Sequence, residues 1–404
     1  MEMDLPSAIA NAQKEHFHAD WFLKCIHWLL SLAILVIFSS IGSVYSLINS
    51  YNRRSLIIQT ISFVYSIIDS IWGYRDYFGH ENKMCHGTGI FLIFFYLTVL
   101  IIGFYNSKTN NSNKVISVTY KVLSCLIVLC GVIRLSAGVV SMLEFCYDDH
   151  TGQCNAHGIM GMSFIVYGVL LSVVLVVPWL RVNKGKYSQE MYDSTVIMVW
   201  GVINTFTEHR PWEPWSHGDY QHTSMGIIFW AAGLLGMFLS INRKRNFMPA
   251  LTMILTGYAM SGHVQELIIS TKVHAFFGYV LMFGGLARIV EISFLLDDKD
   301  ESIDGEIRSF QYLTPFALIL SGILFMGANE EQMQLVVNLG ADHSSYILTI
   351  TSAAMILQLW ILALLRFYLK LTETSKTNNG AYDDINTLDH SDGQSQFELD
   401  NFSV

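Results

Sequence analysis

Charge is scarce in this chain. Asp, Glu, Lys and Arg make up 14 % of its 404 residues, where a soluble domain carries roughly 25 %. The deficit is gathered into repeated apolar runs of about 20 residues, the length that crosses a bilayer core, and this excludes a soluble globular protein. No basic patch of the kind that tracks a phosphate backbone is present, and the net charge of −9 sits mainly in the termini and the acidic segment Leu296–Glu306, so nucleic acid is excluded as a partner. Neither a CxxC pair, a P-loop nor a G-x-S-x-G elbow occurs, which leaves nucleotide hydrolysis and serine-esterase chemistry without support. The first apolar run begins near residue 28, is too long for a signal-peptide core and lacks a basic flank, so no secretory signal is expected.

What is abundant is apolar: 52 % of the residues, with a mean hydropathy of +0.39. The expected fold is an all-α polytopic bundle of about eleven spans, near 28–48, 55–73, 86–105, 116–143, 157–180, 194–208, 222–241, 247–264, 273–295, 310–328 and 346–370. This divides the chain into an N-terminal segment (1–27), a three-span domain (28–115), an eight-span domain (116–371) and a polar tail (372–404) without periodicity, expected to be disordered. Ten basic residues (Arg53, Arg54, Lys108, Lys114, Arg181, Lys184, Lys186, Arg243, Lys244, Arg245) fall in one set of loops and four (Arg75, Lys83, Arg210, Lys272) in the other. The positive-inside rule makes the first set cytosolic, which puts the N-terminus outside or in a lumen and the tail in the cytosol. The sequon Asn110-Asn111-Ser112 then lies in the cytosol.

On that topology thirteen of the fourteen histidines lie at the outward face, His390 being the exception. Four spans begin there with histidine: HGTGI at His86, HGIMG at His157, HTSMG at His222 and HAFFG at His274. The last three share H-x-x-x-G, which sets a glycine one helical turn below each imidazole, where a neighbouring helix or flat ligand can approach closely. These four histidines are the candidate cofactor ligands. The loop TEHRPWEPWSHGDYQHTSMG adds Glu208, His209, His217 and Asp219, and the end of the eighth span adds His263 with Glu266 three residues on. A His–Glu pair at that spacing can share a metal or fix an imidazole tautomer.

Other residues have expected structural roles. Asp69 and Arg134 lie in the outer halves of spans two and four and are expected to form an intramembrane ion pair. Arg288 and Glu291 are one turn apart in span nine and pair locally or snorkel. Cys146 and Cys154 share the outward loop CYDDHTGQC and can close a disulfide in an oxidising compartment. Cys85, beside His86, is either a buried thiol or a soft metal ligand.

The stretches WGVINTFTEHR (200–210), WSHGDYQHTSMG (215–226) and HAFFGYVLMFGGLARIVEI (274–292) resemble the fungal Ytp-type transmembrane proteins over roughly residues 115–370, and residues 20–106 resemble the small domain that precedes them. That family is similar at a distance to ascorbate-reducible transmembrane cytochromes b, which implies haem b held between paired histidines. A two-haem wire needs histidines at two depths, and here they lie at one face. The expectation is therefore a membrane protein with an outward histidine site for a single haem or a transition-metal ion (Zn, Cu or Fe), serving redox chemistry or metal handling. A proton-coupled carrier, a zinc hydrolase with Glu208 or Glu266 as base, and a pH-sensing structural protein remain alternatives. Its catalytic residues are unknown. The bilayer is the expected partner, with a small molecule or ion as ligand, and plasma, secretory-pathway and vacuolar membranes suit it equally.

Overall fold

The computed structural model describes residues 21–75, 81–109, 113–146, 151–181, 186–209, 212–263, 265–296 and 306–386. Eleven long helices follow one another: α1 (Trp21–Ser46), α2 (Asn52–Trp72), α3 (Lys83–Lys108), α4 (Lys114–Met142), α5 (Thr151–Val176), α6 (Gln189–Thr207), α7 (His217–Leu239), α8 (Met248–Ser261), α9 (Ile268–Val290), α10 (Leu313–Met326) and α11 (His343–Asn386). Each expected span has its helix. Nine of the described helical segments are long and apolar enough to cross a bilayer, and α6 and α8 are not among them. At 14 residues, α8 is about 21 Å long, short of a hydrocarbon core of roughly 30 Å.

The chain marks its own helix ends. Asn82 and Asn113 cap α3 and α4, each side-chain oxygen accepting a backbone N–H of the first turn. Gly73, at φ 69°, ends α2 in a conformation costly for any other residue. Pro178 lacks the N–H needed to continue α5. At the far end, α11 runs past residue 371 to Asn386, through residues expected to be structureless.

Burial is inverted relative to a soluble protein. Asp69 and Arg134 are sealed inside, while Phe206 and Phe294 are each 80 % exposed on the outer surface, which fits a lipid solvent. Helices α1 to α4 pack through small polar residues: Ser39 bonds Ser62 at 3.0 Å and Tyr96 Oη at 2.7 Å, and Gln59 donates to Ser124 at 2.9 Å.

Helices α5 to α10 form three antiparallel pairs that meet at glycines. A Cβ on Gly161 would strike the Gly322 carbonyl and Met326, joining α5 to α10; one on Gly226 would strike Thr205, joining α7 to α6; one on Gly278 would strike the Gly257 carbonyl and Ser261, joining α9 to α8. Helix α11 bridges the two halves, with Trp360 donating to Ser40 at 3.2 Å and Phe367 against Tyr45.

Candidate functional site

The three glycines at those crossings are the glycines of the H-x-x-x-G repeat. Each histidine therefore stands one turn above a backbone-to-backbone contact, on a helix whose position its own glycine fixes. This brings His157 of α5, His222 of α7 and His274 of α9 to one end of the bundle, where His263, just past α8, joins them. The rings form a row: His157 to His274 at 5.6 Å between centroids, His274 to His263 at 6.3 Å, and His263 to His222 at 5.9 Å.

The inner pair is the most constrained. His157 and His274 are 8 % and 1 % exposed. In each, Nδ1 lies 2.9 Å from the carbonyl oxygen four residues earlier, of Gln153 and Ser270 respectively. A carbonyl only accepts, so Nδ1 carries the proton in both rings and the Nε2 lone pairs are left. Those two Nε2 atoms are 3.4 Å apart. The centroids are farther apart than the nitrogens by nearly two imidazole radii, so the lone pairs point almost directly at each other. Two acceptors facing across a dry gap repel, and a cation between them resolves the conflict. Phe325 of α10 stacks on His157 at 4.5 Å and meets His274 at 6.0 Å, closing one side.

The outer half of the row is polar. His222 Nδ1 pairs with Glu208 at 3.2 Å, and His263 Nδ1 with the Gln221 side-chain oxygen. His209 pairs with Asp219 at 3.4 Å and stacks on Trp215 at 4.1 Å. Asp219 also closes a capping box with Ser216 at the start of α7. Glu208 holds His222 rather than its chain neighbour His209. Glu266 lies exposed in the loop before α9, because α8 ends before His263 and the helical i+3 geometry does not extend across Gly262. His217 is the first residue of α7. His16, His18, His80, His150 and the Asn110 sequon lie outside the described residues.

His86 does not join the row. It stands on α3 against Glu81 at 3.3 Å with its side chain 60 % exposed, beside a different centre. There Asp69 accepts from Arg134 Nε at 2.8 Å, from Ser31 at 2.8 Å and pairs with His27 at 3.0 Å. Arg134 also reaches Glu81 at 3.0 Å and the Cys85 carbonyl and thiol. His27 is sandwiched between Trp72 and Tyr74. The Asp69–Arg134 pair was legible as two charges at matching depth, whereas His27 and Glu81 carried no signal of their share in it. Cys85 is buried as a thiol in this centre. Among the described residues the one trio of His, Cys, Asp or Glu ligand atoms lying within 4.8 Å of one another is Cys146, Cys154 and Glu331, and the two sulfurs are joined as a disulfide.

A flat haem between His157 and His274 would need open space on every side of the gap between the two Nε2 atoms. The Phe325 ring, in contact with both imidazoles, occupies the side of that gap.

The fold and this buried row define an all-α polytopic membrane protein. The family model described as protein YTP1-like, C-terminal, matches residues 130–369, and the chain is 45 % identical over 397 residues to Protein YTP1 of Saccharomyces cerevisiae, covering 94 % of this chain and 85 % of that one. The chain belongs to the YTP1-like family. It is also 26 % identical over 263 residues to an uncharacterized membrane protein of Schizosaccharomyces pombe, covering 54 % of this chain and 52 % of that one. A second uncharacterized membrane protein of S. cerevisiae is 27 % identical over 177 residues, 37 % of this chain and 28 % of that one. No solved structure matches it.

Proposed function

We propose that this protein binds a first-row transition-metal ion between His157 and His274 at one end of the bundle and handles that metal there, with His263, His222 and Glu208 extending the site toward the surface. The observation that carries this reading is the head-on approach of two Nε2 lone pairs at 3.4 Å, with both Nδ1 protons committed elsewhere. An ion with bonds of about 2.0 Å needs its nitrogens ~4 Å apart when the lone pairs are collinear and ~3.3 Å apart when they converge in a tetrahedron, so admitting it takes a small parting or a tilt of the two rings. Neutral imidazole suits zinc, copper, iron and nickel.

Two protein ligands leave coordination positions open, which suits transfer rather than structural locking. His263 is the next imidazole along, so an ion leaving the inner pair meets it first, then His222 with its Glu208 partner. On the topology given by the basic loops this row faces outward. The hydrolase alternative has less support, because a base must stand beside the metal and Glu208 is held two rings away from the inner pair, on His222. The same row suits a proton relay in a carrier, with a shared proton in place of the metal.

Elemental analysis of the detergent-purified protein separates these. One equivalent of zinc, copper, iron or nickel, lost in His157→Ala and His274→Ala but kept in His86→Ala, is the expected result. An absence of metal in the unaltered protein, both as isolated and after equilibration with these ions, sinks the metal reading and leaves the relay.

A further inference from the structure

The end of the bundle away from the histidines holds a cavity of about 280 Å³ between α5, α6, α9 and α10. Its polar side is built by Arg181, Arg245 and Arg288 together with Glu291, Glu306 and Gln311, and its other wall by Val174 and Trp179 among further apolar residues. The charged side is rigid. Glu190 lies behind it, bonded by Arg245 at 2.8 Å and Arg288 at 3.1 Å, and Arg288 holds Glu291 at 2.7 Å while Gln311 donates to the other Glu291 oxygen at 3.1 Å. Arg245 and Arg288 come from opposite sides of the sequence of α8 and α9, and a single carboxylate fixes both. Such an arrangement holds the guanidinium planes in place before any ligand arrives, and planar, oriented guanidiniums match phosphate oxygens.

The apolar wall decides what carries that phosphate. Val174 lies near the end of the membrane-spanning α5, and Trp179, 50 % exposed, stands just beyond it, where aromatic residues mark the lipid interface. A ligand seated here has its anionic group among the arginines and its remainder against a helix face that continues into lipid. Basic pockets between helices at this depth recognise lipid headgroups. We infer that this cavity is a binding site for the phosphodiester headgroup of a glycerophospholipid. It lies at the opposite end from the histidine row and does not depend on the metal reading.

Native mass spectrometry of the full chain tests this, using delipidated protein titrated with phosphatidylserine or phosphatidylcholine micelles and, in a separate arm, inorganic phosphate. One lipid per chain is expected to bind in preference to further, non-specific copies. Arg181→Gln and the cavity-filling Val174→Trp should each weaken that first binding about tenfold, the loss of one charge-assisted contact, while Arg181→Lys retains most of it. Folding of each variant is checked by its thermal transition in detergent, and a variant that does not fold is replaced by the other. Equal lipid retention in a folded Arg181→Gln or Val174→Trp protein overturns the proposal. So does inorganic phosphate that binds in the cavity and prevents lipid from having any measurable preference for it.

Discussion

Gly278 of α9 lies against the Gly257 carbonyl of α8, and His274, one turn above, lies Nε2 to Nε2 with His157. The two helices that carry the pair share a neighbour rather than a crossing: α5 packs on α10 through Gly161 and the Gly322 carbonyl, and a Cβ on Gly284 of α9 would strike Ala317 of the same α10, so the rings meet across the helix that supplies Phe325.

Adding a methyl at a glycine crossing has a defined consequence. Gly278→Ala and Gly161→Ala should each destabilise the protein by about 1 to 3 kcal/mol, the range for overpacking a closed contact. Each should also lower metal retention, because the helix that carries the ligand must move. Gly158→Ala, with nothing within 4 Å of its new Cβ, is the control and should hold or raise stability, by up to about 1 kcal/mol. Thermal unfolding in detergent, with metal content measured on the same samples, reads both effects.

Chelation should act through the same site. If the ion binds only the folded chain, an excess of metal a hundredfold above its dissociation constant contributes about 2.7 kcal/mol. A strong chelator should therefore lower the thermal transition of the unaltered protein and leave that of His157→Ala unmoved. Equal shifts in the two proteins would show that the chelator acts elsewhere.

The buried charges of the N-terminal half make a separate prediction. Asp69→Asn leaves Arg134 without its closest carboxylate in a sealed site, and breaking such a pair costs on the order of 3 to 5 kcal/mol. Replacing both, as Asp69→Leu with Arg134→Met, should recover much of that loss, because no uncompensated charge remains. Expression level and the detergent melting transition of the single and double variants check this. A double variant no better than the single one would show that the other members of the network, His27 and Glu81, hold charges of their own that need the pair.

Of the six cysteines, Cys146 and Cys154 should resist alkylation without reductant while Cys25, Cys85, Cys125 and Cys130 remain thiols. In the unfolded chain at neutral pH, mass spectrometry should then count four labels, and six after reduction. The bridge closes a loop of eight residues in sequence separation, so its removal should cost about 2 to 3 kcal/mol on the chain-entropy argument. Six labels without reductant would show the pair open.

The sequence by itself determined the class of fold, because crossing lipid demands about 20 apolar residues in a helix and most of the apolar runs reach that length, although α6 and α8 do not. It also determined which histidines repeat, since H-x-x-x-G is a local pattern. What it left open was their partners. His86 opens its span as His157, His222 and His274 do, yet the position one turn beneath it is Ile90 rather than glycine and Glu81 holds it apart. Glu208 adjoins His209 in the chain and bonds His222 in space, because α6 ends where α7 begins to return and the turn brings position 222 back over position 208. Spacing alone pairs His263 with Glu266, and the end of α8 separates them. Local spacing fixes only neighbours along one helix, whereas a site between helices depends on which faces meet. Here that was decided by α10, on which both α5 and α9 pack and whose Phe325 lies against both of the buried imidazoles.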